Sequence, residues 1–225
     1  LGYLAGAPAP APAGERLVHL AVETPYRAWV LFILPVLGGL ISGFVVYTFA
    51  PEAAGHGMDA MIDSFHNLKG IIRTRVPYVK SIASIVTLST GGSAGLEGPI
   101  AQIGAGFGSW VARVLKLSTR ERRIFVLAGC AAGLGAIFRA PLGAAITSVE
   151  VLYREDFESE AIIPCVISSV IAYSLFTYYF GFEPIFSTPR FAFRDPRELI
   201  AYAVLGLICA PIGGFYVNFF YGTRN

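Results

Sequence analysis

A single carboxylate, that of Glu97, lies within an apolar and glycine-rich stretch, G-G-S-A-G-L-E-G-P-I over residues 91–100. Residues 81–96 before it and 98–112 after it carry no charge. An ionised glutamate at bilayer depth costs about 2.5 kcal/mol or more, so such a residue usually faces a water-filled path or another charge. Glu97 is therefore the first candidate for chemistry in this chain.

The residues around Glu97 predict that a helix begins inside the membrane. Glycine permits a tight turn and proline suits the first helical position, so we expect a turn that ends at Glu97 or Gly98 and a helix that begins at Pro99. The first amides of a helix have no intrahelical partner and its dipole is positive there, which favours an anion by about 0.3 to 2 kcal/mol. An anion and Glu97 would compete for these amides, so we expect Glu97 to act as a gate.

Three motifs in this chain resemble those of the CLC family of chloride channels and chloride/proton exchangers. Residues 95–99, G-L-E-G-P, resemble its G-x-E-G-P signature, and residues 102–104 and 129–141 (GCAAGLGAIFRAP) resemble the continuation of that signature. Residues 51–59, PEAAGHGMD, resemble the other anion-binding motif of the family, P-E-A-x-G-S-G-I-P. The resemblance extends from about Pro25 to Gly222.

The resemblance implies an all-α polytopic membrane protein of the CLC-type inverted-repeat fold, with broken and tilted helices and most of the first repeat present. It implies a voltage-gated-type chloride channel or a chloride/proton exchanger that moves monovalent anions, with Glu97 as the gating and proton-carrying glutamate. The expected partners are the lipid bilayer, chloride, possible proton cargo and a second copy in a homodimer. Chloride is the transported ligand, and no cofactor, metal or nucleic acid is implied. We expect a multi-pass protein of a bacterial or archaeal plasma membrane.

The resemblance also implies an anion site at two helix N-termini. Its residues are Gly55, His56, Gly57, Met58, Gly95, Leu96, Gly98, Pro99 and Ile100. His56 replaces a common serine of the family and Asp59 a common proline, so the preferred anion stays open. A secondary transporter for another small anion, such as fluoride or nitrate, is an alternative.

Glu150 and Val151 bear on proton transport. By resemblance, well-known exchangers tend to carry an internal proton-accepting glutamate at the position of Val151, whereas several channels carry valine. Valine cannot carry a proton, which favours a channel or a weakly coupled transporter. Some exchangers of the family also lack this glutamate, so both mechanisms stay open. Glu150 is expected at a helix end that faces the cytoplasm.

The composition indicates a membrane protein. Hydrophobic residues make up 55% of the chain and charged residues 14%, against about a quarter in soluble domains. The net charge of +2 is dispersed, without the basic and aromatic clustering of nucleic-acid-binding proteins. Cys130, Cys165 and Cys209 stand singly in apolar segments and are expected to be small buried hydrophobes.

About eight helices and no strand are expected. Residues 1–24 form an Ala/Pro-rich linker and residues 25–225 a transmembrane ion-transport domain, whose carboxy-terminal part we expect to be missing. The expected helical segments are 28–51, 57–66, a hairpin over 81–112, a broken pair at 124–138 and 140–149, then 161–182 and 199–222. Basic residues over 69–80 and 113–123 predict cytoplasmic loops, which place the bend at Glu97 on the other side.

An alternative of a different class is an intramembrane serine hydrolase. Residues 91–95 fit G-x-S-x-G, in which Ser93 would be the nucleophile. That motif requires a strand before the serine and a histidine base. No histidine lies in a predicted membrane segment near Ser93, so the enzyme interpretation is the weaker one.

Overall fold

The computed structural model describes residues 28–153, 158–181 and 196–224. The predicted linker at residues 1–24 lies outside the described residues. The chain divides into two compact units, one that ends at Ser187 and one that begins at Thr188.

The described residues form eight α-helices and contain no strand. In chain order the helices are α1 (Ala28–Phe49), α2 (Met58–His66), α3 (Arg75–Ser89), α4 (Glu97–Val114), α5 (Thr119–Phe138), α6 (Pro141–Glu150), α7 (Ile162–Phe180) and α8 (Glu198–Arg224). Two 3-10 turns, Pro51–Ala53 and Ser159–Ala161, lie between them. Helices suit a membrane because each satisfies its own backbone hydrogen bonds. The predicted all-helical fold is confirmed.

Helices α3 and α5 begin several residues earlier than predicted. Helix α3 begins at Arg75, because Pro77 occupies its third position, where the missing N–H would have had no intrahelical partner. Helix α5 begins at Thr119, because the side chains of Ser118 and Glu121 form a capping box with each other's backbone. Lys80 therefore lies inside α3, and its predicted place in a cytoplasmic loop is wrong.

Helix α5 makes the most extensive contacts in the first unit, against α4, α6 and α7. Helices α1 and α3 pack against each other, and α3 also packs against α4. Small residues allow these close approaches: a Cβ atom on Gly104 of α4 would collide with the carbonyl oxygen of Gly129 on α5. Close packing through glycine and alanine is typical of helices in lipid, where no water is released to drive association.

The buried core lies where α2, α3, α4 and α5 meet. Its large side chains come mainly from α2, α3 and α5, and α4 contributes alanines. Its members include Met61, Phe65, Val76, Val79, Ala101, Ala105, Val126, Leu127, Cys130 and Ala131. Cys130 and Cys165 are buried, as predicted, whereas Cys209 is exposed. Cys209 lies on α8, a single helix that no other described element of its own unit covers.

Many large apolar side chains point outward. Within residues 28–153, 158–181 and 196–224, three segments are long and apolar enough to cross a membrane, Phe32–Phe49, Ser159–Phe180 and Glu198–Thr223. The side chain of Phe32 is 77% exposed and that of Tyr178 79%. Exposed apolar surface of this extent belongs in contact with lipid or with another protein segment, because water would penalise it.

The contact between α4 and α5 predicts a large effect of Gly104→Val on stability. The new side chain meets backbone atoms of Gly129, which no rotamer change can move. We expect the free energy of unfolding to fall by about 1 to 3 kcal/mol, the usual cost of overpacking. The measurement is thermal unfolding of the protein at its full natural length in detergent. Gly43→Ala is the matched control, because nothing lies within 4 Å of a Cβ atom there; equal stability of both variants would contradict the packing.

Candidate anion-binding site

Helix α4 begins at Glu97, two residues before the predicted start at Pro99. Pro99 is thus the third helical residue, and its missing N–H leaves no helical hydrogen bond unmade. The first intrahelical bond of this turn runs from the amide of Ile100 to the carbonyl oxygen of Leu96, at 3.0 Å. The Glu97 side chain therefore lies in the first helical turn, close to the positive end of the dipole.

The segment of residues 51–57, called the anion loop below, turns sharply into α2. It begins with the 3-10 turn Pro51–Ala53 and ends at Gly57, which caps α2. Gly55 has φ +75° and Gly57 has φ +103°. Side chains strain this left-handed conformation, so glycine is required at both positions.

The anion loop and the start of α4 lie in direct contact. A Cβ atom on Gly98 would collide with the carbonyl oxygen of His56, and one on Gly57 would lie 2.7 Å from the carbonyl oxygen of Gly98. Both glycines are buried. The N-terminal turns of α2 and α4, which the sequence predicts to share an anion, are therefore neighbours.

A cavity of about 350 Å³ lies beside this junction. Of the predicted anion-site residues, Gly55, Gly95 and Pro99 line it. Most of the remaining lining residues come from α1 and α3 and include Ser42, Tyr47, Lys80, Ser84 and Thr87. Residues of both motifs therefore line one cavity, together with polar side chains of α1 and α3.

The other predicted residues lie around the cavity without lining it. Gly57 and Gly98 form the junction described above. The side chains of His56, Leu96 and Glu97 are exposed. Met58 is half-buried and packs on the core, and Ile100 is half-buried, with its carbonyl oxygen 2.8 Å from the Cβ position of Gly133.

The carboxylate of Glu97 folds back over the bend that precedes it. A Cβ atom on Gly95 would collide with Glu97 Oε2. Because Gly95 lines the cavity, the carboxylate lies at the cavity rim. No hydrogen bond to this carboxylate is made within the described residues.

Glu150 and Val151 lie at the end of α6, away from the cavity lining. Glu150 is exposed, and Val151 is half-buried against the core. Helix α6 is the second half of the predicted broken pair, which is interrupted at Arg139 and Ala140. The side chain of Val151 offers no group that could accept a proton.

Lys80 is a site residue that the sequence interpretation missed. Only 5% of it is exposed, and its ammonium group donates hydrogen bonds to the carbonyl oxygens of Ala53 at 2.9 Å and Gly55 at 2.6 Å. Lys80 therefore holds the anion loop against α3. The helical spacing of the sequence could have predicted this burial, because Val76, Val79 and Ala83 lie on the same face of the helix as Lys80.

A second set of polar contacts fixes the start of the anion loop. The buried amide of Gln102 on α4 donates to the carbonyl oxygen of Glu52 at 3.0 Å. The carboxylate of Glu52 pairs with Arg73 at 2.8 Å. These contacts tie the loop to α4 and to the segment before α3, so three elements define its position.

Ser93 lacks the surroundings of a hydrolase nucleophile. It is exposed and lies in the bend between α3 and α4, so a helix precedes it where the nucleophile elbow requires a strand. The local geometry gives no support to the serine-hydrolase alternative.

Comparison with known proteins agrees with the motif resemblance. A model of the family described as voltage gated chloride channel matches residues 38–225. The H(+)/Cl(-) exchange transporter ClcA of Salmonella arizonae is 36% identical over 213 residues, which cover 93% of this chain and 45% of that protein. The chain spans about half the length of the curated relatives it matches.

Two solved structures share the fold. A slow cyanobacterial Cl-/H+ antiporter matches with a TM-score of 0.70 and 24% identity, over 81% of this chain and 44% of that chain. A CLC-type fluoride/proton antiporter matches with a TM-score of 0.65 and 22% identity, over 83% of this chain and 47% of that chain. The predicted CLC-type fold is confirmed. From its motifs, its fold and the family match over residues 38–225, the chain belongs to the voltage gated chloride channel family.

Proposed function

We propose that this protein moves chloride, or a similar monovalent anion, across a membrane in exchange for protons. The observation that carries the proposal is the junction of two helix N-termini beside a cavity that both motifs line. The name of the Salmonella arizonae relative, an H(+)/Cl(-) exchange transporter, supports chloride and protons as the cargo.

Binding of the anion requires only coordination, and no covalent bond is made or broken. The first amides of α2 and α4 carry partial positive charge and have no helical acceptor, so they can replace water around an anion. Gly55 and Gly95 line the cavity and have no side chain to cover their backbone. The same amides cannot serve the anion and a carboxylate at once, which makes the two ligands competitors.

Glu97 is the proposed gate and proton carrier. As a carboxylate it is attracted to the positive end of α4 and closes the rim at Gly95. Protonation removes the charge that holds it there, so the carboxyl group can swing away and the anion can take its place. One side chain thereby couples the presence of a proton to the passage of an anion.

A chloride channel is the second candidate, and Val151 is the observation that favours it. A valine at this position cannot pass a proton towards Glu97 from the end of α6. In a channel Glu97 would gate the anion path without moving protons across. Transport of fluoride or nitrate instead of chloride stays a further alternative.

The location and assembly of the protein are also part of the proposal. We propose a multi-pass protein of a bacterial plasma membrane, with residues 25–225 as part of its transport domain and with two copies in the functional assembly. The bacterial relatives and the three apolar helices support the location. Its role is transport and not enzymatic turnover.

The proposal predicts coupled fluxes for the protein at its full natural length in liposomes. With chloride inside and a permeant counter-charge available, chloride efflux should drive protons inward against their gradient, and external pH should rise. Chloride efflux and external pH are recorded together, with nitrate and fluoride in parallel runs. Chloride efflux without a pH change would favour the channel, and no flux of any of the three anions would refute the proposal.

Glu97→Gln should preserve anion flux and abolish its dependence on pH. The amide has the shape of the protonated carboxyl group but neither binds as an anion nor titrates. In the wild type, the anion flux should rise as the pH falls. The flux is measured between pH 4 and 8, with Glu150→Gln as the control that should keep the pH dependence. Unchanged pH dependence in Glu97→Gln would show that another group is the gate.

Gly98→Ala should reduce anion flux by at least tenfold per folded protein. Its methyl group collides with the carbonyl oxygen of His56 and pushes the anion loop away from α4. Positioning errors of about 1 Å are enough to lose large factors in rate. Gly143→Ala is the control, because its nearest neighbour lies 3.9 Å from the Cβ position. Equal flux in both variants would mean that the junction does not position the anion.

A further inference from the structure

A second cavity, of about 260 Å³, lies between the start of the anion loop, α2, the segment before α3 and Gln102 of α4. Glu52 lines this second cavity, whereas its neighbour Ala53 lines the cavity of about 350 Å³. The anion loop therefore contributes a wall to each of them. In liquid water one molecule takes about 30 Å³, so the second cavity has room for a small ion together with several waters.

Gln102 carries a buried acceptor that has no donor. Only 1% of this residue is exposed, and its side-chain nitrogen donates to the carbonyl oxygen of Glu52 at 3.0 Å. Because a carbonyl oxygen can only accept, the nitrogen must face Glu52, which fixes the orientation of the amide. The other atom of the amide, Oε1, is buried and accepts no hydrogen bond within the described residues. A buried acceptor normally has a partner, so a donor or a cation is expected in the second cavity.

Two side chains of α2 add further oxygen atoms to the same wall. Ser64, which is 1% exposed, donates its hydroxyl proton to the carbonyl oxygen of Ile71 at 3.2 Å, so its oxygen retains only lone pairs. Asp63 lines the cavity and is exposed. Its Oδ1 accepts a hydrogen bond from Asn67 at 2.6 Å, and its Oδ2 accepts none within the described residues. Both side chains can therefore accept from a ligand or coordinate a cation.

The charges of the second cavity leave one negative charge without a counterpart. Its ionised wall residues in the described part of the chain are Glu52, Asp63 and Arg73. Arg73 Nε lies 2.8 Å from Glu52 Oε1, yet this oxygen accepts no hydrogen bond of acceptable geometry. The Arg73 side chain is 56% exposed, so water screens much of its charge. Two carboxylates against one guanidinium give a net charge of −1, which one monovalent cation would balance.

The ligand atoms define the kind of cation. Oxygen atoms of carboxylates, amides and hydroxyls suit hard cations, whereas zinc and other transition metals prefer nitrogen and sulfur ligands. No group of three His, Cys, Asp or Glu side chains able to hold a metal occurs within the described residues. Oxygen ligands together with a net charge of −1 favour a monovalent hard cation.

We propose that the second cavity binds a sodium ion, held by oxygen atoms of Glu52, Asp63, Ser64 and Gln102. The ion would supply the missing partner of Gln102 Oε1 and the missing countercharge of the carboxylates. It would also link Glu52 to Gln102, the two residues that fix the start of the anion loop. Bound sodium therefore stabilises the loop where it meets α4. The site goes beyond the proposed anion transport and does not rest on it.

The test is thermal unfolding of the protein at its full natural length in detergent, with sodium chloride replacing choline chloride so that the chloride concentration stays constant. Tm of the wild type should rise with sodium and then saturate, because a ligand that binds only the folded state stabilises it. Asp63→Asn should need about tenfold more sodium to reach half of that rise, since affinity for a hard cation depends on the number of charged ligands. Asp59→Asn should keep the wild-type sodium dependence. It is the matched control, because Asp59 is also exposed on α2 but does not line the second cavity.

Three outcomes would overturn the sodium site. The first is a wild-type Tm that does not depend on sodium. The second is equal sodium dependence of the wild type and Asp63→Asn, and the third is an equal weakening in Asp59→Asn, which would show that sodium acts on the general surface charge. Gln102→Leu should abolish the sodium effect, and where this variant does not fold, Asp63→Asn decides. Anion transport is measured separately by chloride flux, so each of these outcomes leaves it standing.

Discussion

Backbone-to-backbone contact between the anion loop and α4 is the constraint on which the rest of this structure depends. Gly57 and Gly98 approach so closely that neither tolerates a side chain without movement of the backbone. The contact brings together two helix N-termini, at Met58 and Glu97, that are 39 residues apart in sequence. Without it the orphan amides of α2 and α4 would face lipid or water separately, and no common cavity would exist. Glycine serves here as a means of bringing partial charges together inside an apolar environment.

Polar groups buried inside a membrane protein need hydrogen-bond partners. In the anion loop, few residues provide them. Lys80 and Gln102 reach the carbonyl oxygens of the anion loop from two different helices, α3 and α4. Each contact replaces water that the surrounding apolar helices exclude. The loop is therefore held by buried donors, while the exposed Gly55 leaves the backbone beside it open. Rigid support on one side and an open backbone on the other suit a site that must bind an anion and release it.

Hydropathy predicted the helices well because the bilayer imposes length and composition on each of them. It failed at Lys80, since a lysine near Lys69, Arg73 and Arg75 has the composition of a basic loop although its helical spacing places it among buried valines. The start of α4 was misplaced for a related reason: proline is common at the first helical position but is equally compatible with the third. The motifs pointed to the two segments that the structure brings into contact, whereas the cavity and the contact at Gly98 depend on packing between distant helices. Spacing along one chain segment carries no information on such contacts.

The proposed transport requires that an anion occupies the cavity between the anion loop and the bend before α4. Crystals of the protein at its full natural length, grown in bromide in place of chloride, test it directly through the anomalous scattering of bromide. We expect an anomalous peak inside the cavity, within hydrogen-bonding distance of the backbone at Gly55 or Gly95. Bromide peaks elsewhere with an empty cavity would contradict it.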